Sequence, residues 1–499
     1  MACKLAVIGV DGITYEVINF LIKKGKLPYF KKLLEEGTFA NLGSAPSFQS
    51  GPCWSSFATG KNPGKHGIFE WIKPLYKYDK VKVVDSRDIE SVTFYEILAK
   101  KKNICIINLP LSWPPRINGT MITSYSTKGN DFVFPSSLKD KYDFSNYKLR
   151  LSDADQIFNV ADKVNSMIDS RIDIWKKLAM GDYDFIYILF EMIDTIQHSY
   201  YHIIFDEDNK DVKRAWEAYE KVDSFLGWLF KNLPKTNFMI ISDHGFKAYN
   251  GFFYVNEFLR RNGYLKSSKT RQIKIYKGGN NFIVKLLNNN YILRKFFQKM
   301  FFLLDPLIPF KSNVKCRIEC HLSDCIDLNK SKAFFPSNEV VGIYVNDKRF
   351  YNVVSSKDYD SVRDGIISSI NKSGYLKAVK REEVYHGKNL SHAPDIHLFR
   401  KDYHTSRALG PQFIKNEKTN AHYGPGIFVL HGPDFVNNKR LSDISIIDLA
   451  PTILYFFDEA IPNDMDGKPL IDIFSENSKH KNKKPRYIKS NDFKETNKI

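Results

Sequence analysis

Residues 4–12 read KLAVIGVDG. The run from Leu5 to Val10 is apolar throughout, with no polar residue alternating into it. Such a run fits a strand buried on both faces, as in a parallel sheet covered by helices. Asp11 and Gly12 follow at its C-terminal end, the side on which open α/β sheets place their ligands. A helical pattern over 15–36, closed by Gly37, comes next, and a second helix is read at 52–59. Further apolar strands are read at 104–108, 185–190 and 238–242, with a helix at 212–229 joining the last two. This alternation predicts an α/β fold: a doubly wound, mostly parallel sheet flanked by helices.

The middle of the chain breaks the pattern. Residues 266–323 are basic and aromatic, without strand–helix alternation, and read as a cap or lid segment inserted into one large domain, 1–265 and 324–476. The pattern resumes with strands at 342–346, 395–399 and 426–430, a helix at 361–372 and a final apolar helix at 444–457. Within the insertion, YILRKFFQKMFFLLDPLIPF (291–310) reads as a cap helix packing on the main domain, although Arg294, Lys295 and Lys299 among its aromatics also suit an anionic membrane surface. The tail, 477–499, is rich in Lys, Asn and Ser and is expected to be disordered.

A chain of 499 residues, 43% of them hydrophobic, can bury a large core and is not a disordered protein. Its formal charge is +18, part of it in the tail between Lys479 and Lys498. Charge alone does not separate attraction to polyanions from a solvated Lys-rich surface. Among the six cysteines, Cys3, Cys53 and Cys105 fall in or beside core elements and read as small buried residues. Cys316, Cys320, His321 and Cys325 cluster locally, but at a spacing unlike a standard zinc knuckle. The N-terminus reads as a first strand, and no run of about 18 apolar residues is present to span a membrane. A soluble, cytoplasmic protein is the expectation.

Metal-type ligands recur where strands end. They are Asp11, the pair Asp194 and His198, the pair Asp243 and His244, and His422. In a doubly wound sheet the C-terminal ends of strands converge on one crevice, so six such residues suffice for two divalent cations. Oxygen and nitrogen ligands without thiolates suit zinc, and also manganese or iron. Asp194 and His198 are four apart and share a helix face. Asp243 and His244 are adjacent and need a turn to converge, for which Gly245 offers backbone freedom. Alone, each pair would read as a surface helix contact or a turn.

A two-metal site also needs a nucleophile. Ser44, Ser47 and Ser50 lie in the loop before the second helix, while Ser55, Ser56 and Thr59 fall inside it and read as packing residues. Ser50 stands just before Gly51-Pro52, at the start of the helix, where backbone N–H groups and the helix dipole would stabilise a phosphoryl group. The ordinary reading of a serine there is an N-cap.

Taken together, these segments resemble the alkaline phosphatase superfamily, in its type I phosphodiesterase and nucleotide pyrophosphatase branch. SGPCWSSFATGKNPGKHGIFEW (50–71) looks like the family's nucleophile helix with its Thr-Gly-x-x-Pro-x-x-His-Gly-Ile ending. FEMIDTIQHSYYH resembles the Asp-x-x-x-His metal motif, ISDHGF the Asp-His-Gly motif, and AHYGPGIFVLHGP the segment holding the last metal histidine. DISIIDLAPTILYFF and IPNDMDGKPL are similar to the family's closing helix and loop.

The resemblance implies roles. One cation would take Asp194, His198 and His422, and the other Asp11, Asp243 and His244, beside Ser50. Ser50 would attack phosphorus in line and form a covalent phosphoryl-serine that water then releases. The substrate would be a small phosphorylated molecule such as a nucleotide or phosphodiester. Related pyrophosphatases hold a phosphate oxygen with an Asn downstream of the nucleophile; here Cys53 stands three residues on, and Asn108 is the candidate replacement. They also use Thr where this chain has Ser50. Cys53-Trp54-Ser55-Ser56 lacks the Pro and Arg of the sulfatase arrangement. Alternatives on the same core are a phosphomonoesterase, a phosphonate hydrolase or a phosphomutase. A different class is a quiet basic protein binding nucleic acid or membrane, which no nucleic-acid motif supports.

Overall fold

The computed structural model describes residues 3–74, 81–129, 131–151, 159–267, 326–338 and 340–490. Its centre is a ten-stranded, mainly parallel sheet. Leu5–Val10, buried at every position, lies in the middle, with Phe185–Phe190 on one side and Asn237–Ile241 on the other, both parallel to it. Ile104–Ile107 and Thr120–Ile122 extend the sheet in parallel beyond Phe185–Phe190. On the other edge, Gly426–His431 inserts antiparallel between Asn237–Ile241 and Thr38–Gly43. Helices cover both faces. Val160–Ala179, Lys210–Asn232 and Met192–Tyr200 pack on one side, and Ser50–Thr59, Phe94–Leu98 and Leu449–Phe456 on the other. The expected α/β architecture is therefore present.

Several elements differ from the sequence reading. The single helix expected over 15–36 is two, Tyr15–Lys23 and Pro28–Glu36. Gly25 takes a left-handed φ of 70° between them, and Pro28 has no N–H to continue a helix but fits the first turn of a new one. The apolar stretch 444–457 is not one helix either. Ile444–Ser445 pairs with the Thr38–Gly43 strand, a tight turn spans Ile446–Asp448, and the helix is Leu449–Phe456. Asp448 and Ser445 form a reciprocal cap there, which starts the helix late and puts Pro451 in its first turn.

The strands Gly342–Val345 and Ile396–Arg400 do not join the central sheet. With Ala333–Phe334 and Leu376–Lys380 they build a separate four-stranded antiparallel sheet, which the helix Tyr359–Ser373 covers over its own apolar cluster. Residues 268–325 lie outside the described residues, and with them almost all of the expected cap segment, the 291–310 stretch and the Cys316, Cys320, His321 and Cys325 cluster. Ser267 and Ile326, on either side of that span, form an antiparallel bridge.

The tail was expected to be disordered, and for 477–490 it is not. Tyr487–Ile488 pairs in parallel with Ile461–Pro462. His480 is buried, stacked on Phe456 at 4.6 Å, and the Tyr455 hydroxyl donates to the Lys483 carbonyl at 2.8 Å. A few apolar and aromatic contacts outweigh a polar composition. No helix among the described residues is long and apolar enough to cross a membrane.

Candidate active site

Sheet register places the ligands. Val10 pairs with Phe190 and Gly9 with Ile241, so the three central strands end at one level. Asp11 therefore emerges beside Glu191, which leads into the helix Met192–Tyr200, and beside Ser242 and Asp243. His422 arrives from elsewhere, at the end of the strand Thr419–His422, which pairs antiparallel with Phe246–Tyr249 just after the Asp243-His244 turn. Gly245 does not supply an unusual dihedral there. It is needed for space, since a Cβ would stand 2.6 Å from the Pro425 carbonyl oxygen.

The six expected ligands meet in two groups of three. Asp194, His198 and His422 form one, and Asp11, Asp243 and His244 the other; within each, the ligand atoms lie within 4.8 Å of one another. His422 Nε2 is 3.0 Å from Asp194 Oδ1 and 3.0 Å from His198 Nε2. His244 Nε2 is 3.4 Å from Asp11 Oδ1 and 3.5 Å from Asp243 Oδ2. His244 and His422 stack across the groups with ring centroids 3.9 Å apart.

The chemistry of this donor set fits cations. Both carboxylate oxygens of Asp243 are buried with no hydrogen-bond partner among the described residues. A buried carboxylate in that state needs a proton or a cation. Burial pushes the Asp243 carboxyl up to about 7, with Asp194 adding to the rise. Asp11 is pushed well above the usual carboxylate range by burial, then by Asp243 and Asp194. Burial acts on Asp194 in the same direction, but His198, His422 and His244 together outweigh it and hold that carboxyl well below the usual range. Burial keeps His244 neutral, with His422 acting the same way. The imidazoles are also oriented: His244 Nδ1 lies 3.1 Å from the Gly245 carbonyl and His198 Nδ1 3.3 Å from the Asn420 carbonyl. A carbonyl only accepts, so Nδ1 carries the proton in both rings and Nε2 presents its lone pair to the cluster.

Ser50 is the first residue of the helix Ser50–Thr59, not its N-cap; that position is Gln49, whose side chain makes no cap bond. The Ser50 hydroxyl turns instead to the ligands, 3.2 Å from Asp11 Oδ1 and 3.2 Å from His244 Nε2. Of the other candidates, Ser55 and Thr59 bond back to helix carbonyls and Ser56 to His66, as packing residues do. The Ser44 hydroxyl donates to the Gly424 carbonyl.

Asn108 is placed differently from its expected role. It is buried at a left-handed φ of 62°, its amide nitrogen donates to Glu191 at 3.3 Å, and its carbonyl accepts from the Tyr147 hydroxyl at 3.0 Å. Glu191 is held in turn by Arg171. The amide is thus part of an interior network rather than open to a phosphate oxygen.

Sequence reasoning missed several neighbours. Trp54, one helical turn past Ser50, donates its indole N–H to Asp11 Oδ2 at 2.9 Å. Trp71 lies against Gly51, and Tyr125 packs on Trp71 at 5.5 Å. Burial pushes the Tyr125 hydroxyl well above its ordinary value, and the carboxylates of Asp11, Asp194, Glu191 and Asp243 add to this, which puts the ring beside the acidic cluster. The Asn420 side chain bonds His202 and the His198 carbonyl. Only Trp54 left a signal, its i+4 spacing from Ser50; the others depend on contacts between distant segments.

The family model of type I phosphodiesterase / nucleotide pyrophosphatase matches residues 5–299, more than half of the chain. Among solved structures, the chain is similar to murine ectonucleotide pyrophosphatase/phosphodiesterase 5 in an inactive form in complex with AMP, at TM-score 0.55 and 13% identity, covering 95% of this chain and 100% of that one. The human protein of the same name gives TM-score 0.51, 13% identity and the same coverage. No curated protein matches.

Proposed function

The chain belongs to the type I phosphodiesterase/nucleotide pyrophosphatase family, and on that premise we propose that it cleaves phosphodiester or phosphoanhydride bonds of small phosphorylated molecules such as nucleotides, with Ser50 as nucleophile beside two divalent cations. The observation that carries this reading is the position of the Ser50 hydroxyl, within 3.2 Å of two members of one ligand group. Asp11, Asp243 and His244 would hold one cation, and Asp194, His198 and His422 the other, with zinc, manganese and iron all suited to the donors. Bound there, such cations would supply positive charge to the phosphoryl oxygens and lower the pKa of a nearby hydroxyl or water.

The chain's own residues do the rest. Ser50 Oγ bonds to phosphorus and the bond to the leaving oxygen breaks; that oxygen takes up a proton or departs as an anion. The Ser50 hydroxyl lies 3.2 Å from both Asp11 Oδ1 and His244 Nε2, so Oγ already stands where a cation held by those residues would lower its pKa, and its proton leaves to solvent. Pro52 has no N–H and the Cys53 N–H bonds to the Gln49 carbonyl, so the backbone donors that the first turn of Ser50–Thr59 can offer a phosphoryl group there are those of Ser50 and Gly51. Water then attacks phosphorus, the Oγ–P bond breaks and Ser50 recovers its proton. Trp54 holds Asp11 in place throughout. The AMP bound to the murine relative supports a nucleotide as the substrate class.

Cation-replete protein should hydrolyse a nitrophenyl phosphodiester, lose the rate on chelation and regain it when cations are restored. A sample quenched during turnover should carry a phosphoryl group on Ser50 by mass spectrometry. Activity that survives complete cation removal would contradict the reading.

A further inference from the structure

The ligand group of Asp194, His198 and His422 is assembled from two elements far apart in the chain. Asp194 and His198 ride on the helix Met192–Tyr200, and His422 ends the strand Thr419–His422. It is also the more open of the two groups. The His198 side chain is 43% exposed, against 2% or less for Asp11, Asp243 and His244. Phe246 meets the His198 ring edge-on at 4.9 Å. An imidazole so far in water still needs hydrogen bonds to keep one orientation.

Asn420 supplies them. It is buried two residues before His422. It pairs with Ala248 where His422 pairs with Phe246, so Asn420 and His422 share one face of the hairpin. Its main-chain carbonyl accepts from His198 Nδ1 at 3.3 Å. Its side chain enters the helix end. In a continuing helix the His202 N–H would donate to the His198 carbonyl. Here the His202 N–H donates to Asn420 Oδ1 at 3.0 Å, and Asn420 Nδ2 donates to the His198 carbonyl at 2.9 Å. The amide stands in for one peptide unit at the turn where the helix ends. Both partners are main-chain groups of fixed sense, so they settle which amide atom is oxygen and which is nitrogen. Nδ2 donates its second proton to His202 Nδ1 at 2.9 Å.

Resting on the function proposed above, we infer that Asn420 is the positioning residue for the cation of the Asp194, His198 and His422 group. By bridging residues 198 and 202 it fixes the spacing of helix and strand. That spacing sets the turn of the His198 ring and the approach of His422 Nε2 to Asp194 Oδ1, 3.0 Å apart. Asn420 touches no reacting atom. It acts on one group only, because the supports of the other are Trp54 on Asp11 and the Gly245 carbonyl on His244.

The test reads zinc binding by competition with a chelating dye, one group at a time. Asp243→Asn takes a ligand from the inner group and leaves the Asp194, His198 and His422 group to report; Asp194→Asn does the reverse. Adding Asn420→Ala should weaken zinc about 10–100-fold in the Asp243→Asn protein, the scale of losing a residue behind a ligand, and less than about twofold in the Asp194→Asn protein. Asn420→Leu keeps the volume without the hydrogen bonds and should do the same, which covers an Asn420→Ala protein that does not fold. An equal loss in both backgrounds makes Asn420 a general structural residue, and no loss in either removes it from the site; each overturns the inference and leaves the hydrolase reading standing. A wild-type protein that binds no zinc, manganese or iron overturns that reading and this role with it.

Discussion

His244 and His422, 178 residues apart in sequence, stack with their ring centroids 3.9 Å apart and 23° between planes. One belongs to the ligand group beside Ser50 and the other to the group around Asp194, so the two groups adjoin through this pair of rings. In the family reading this contact lets a single phosphoryl group be addressed from two sides.

The indole N–H of Trp54 is the hydrogen bond that holds Asp11 Oδ2. Trp54→Phe keeps an aromatic ring in the core but leaves that oxygen without its donor. Cation affinity of the Asp11, Asp243 and His244 group should fall about 10–100-fold, as is usual when a residue behind a ligand is removed. Competition with a chelating dye measures it, and unchanged affinity would show that Asp11 needs no such anchor.

Cation binding should depend on pH. Burial raises the carboxyls of Asp243, to about 7, and Asp11 above their ordinary values, so in cation-free protein both hold protons that a cation must displace. Affinity should rise with pH through the raised carboxyl range. The contribution of Asp243 to folding of the cation-free protein should run the other way. Between the unfolded carboxyl value near 4 and the raised folded value, Asp243 binds more protons folded than unfolded, so its contribution falls as pH rises through that window, against the rising contribution of His66, His244, His397 and His404, which burial keeps neutral. Thermal unfolding in chelator between pH 4 and pH 8 reads it as the difference between the wild type and Asp243→Asn; a stability advantage of the wild type over the variant that grows with pH would contradict it.

Arg171 and Glu191 form a buried pair beneath the start of the helix that carries Asp194. Arg171 also donates to the Lys148 and Leu149 carbonyls at 2.8 Å. Arg171→Met leaves Glu191 charged and buried with Asn108 as its donor among the described residues, and should cost about 3–5 kcal/mol in denaturant unfolding. Adding Glu191→Leu should recover part of the loss. A loss below about 1 kcal/mol for the single variant would mean that water reaches the carboxylate.

Much of this was legible in the sequence. A run such as Leu5–Val10 admits few readings other than a buried parallel strand, and the strand ends locate Asp11, Asp194, Asp243 and His244 without any knowledge of side-chain contacts. Gly51-Pro52 marks a helix start beside Ser50, but alone that reads as an N-cap; the likeness of 50–71 to the family's nucleophile helix singles Ser50 out. What escaped depends on partners far along the chain. The break at Gly25 and Pro28 was visible but yielded to the apolar periodicity around it. Asn108 was assigned by its place at a strand end, whereas Tyr147 and Glu191, distant in sequence, decide where its amide points. The tail between 477 and 490 looked too polar to fold, yet Phe456, Phe474 and Tyr455 provide a surface for His480. The separate sheet around Gly342–Val345 shares the alternating pattern of the central one, and only strand pairing distinguishes them.

The most direct test of the central claim is Ser50→Ala, with turnover of a nitrophenyl phosphodiester and elemental analysis measured on the same sample. The account predicts that hydrolysis falls by at least about a thousandfold, the scale of losing a nucleophile, while the cation content stays near two per chain. A variant that keeps its rate with its cations would contradict it.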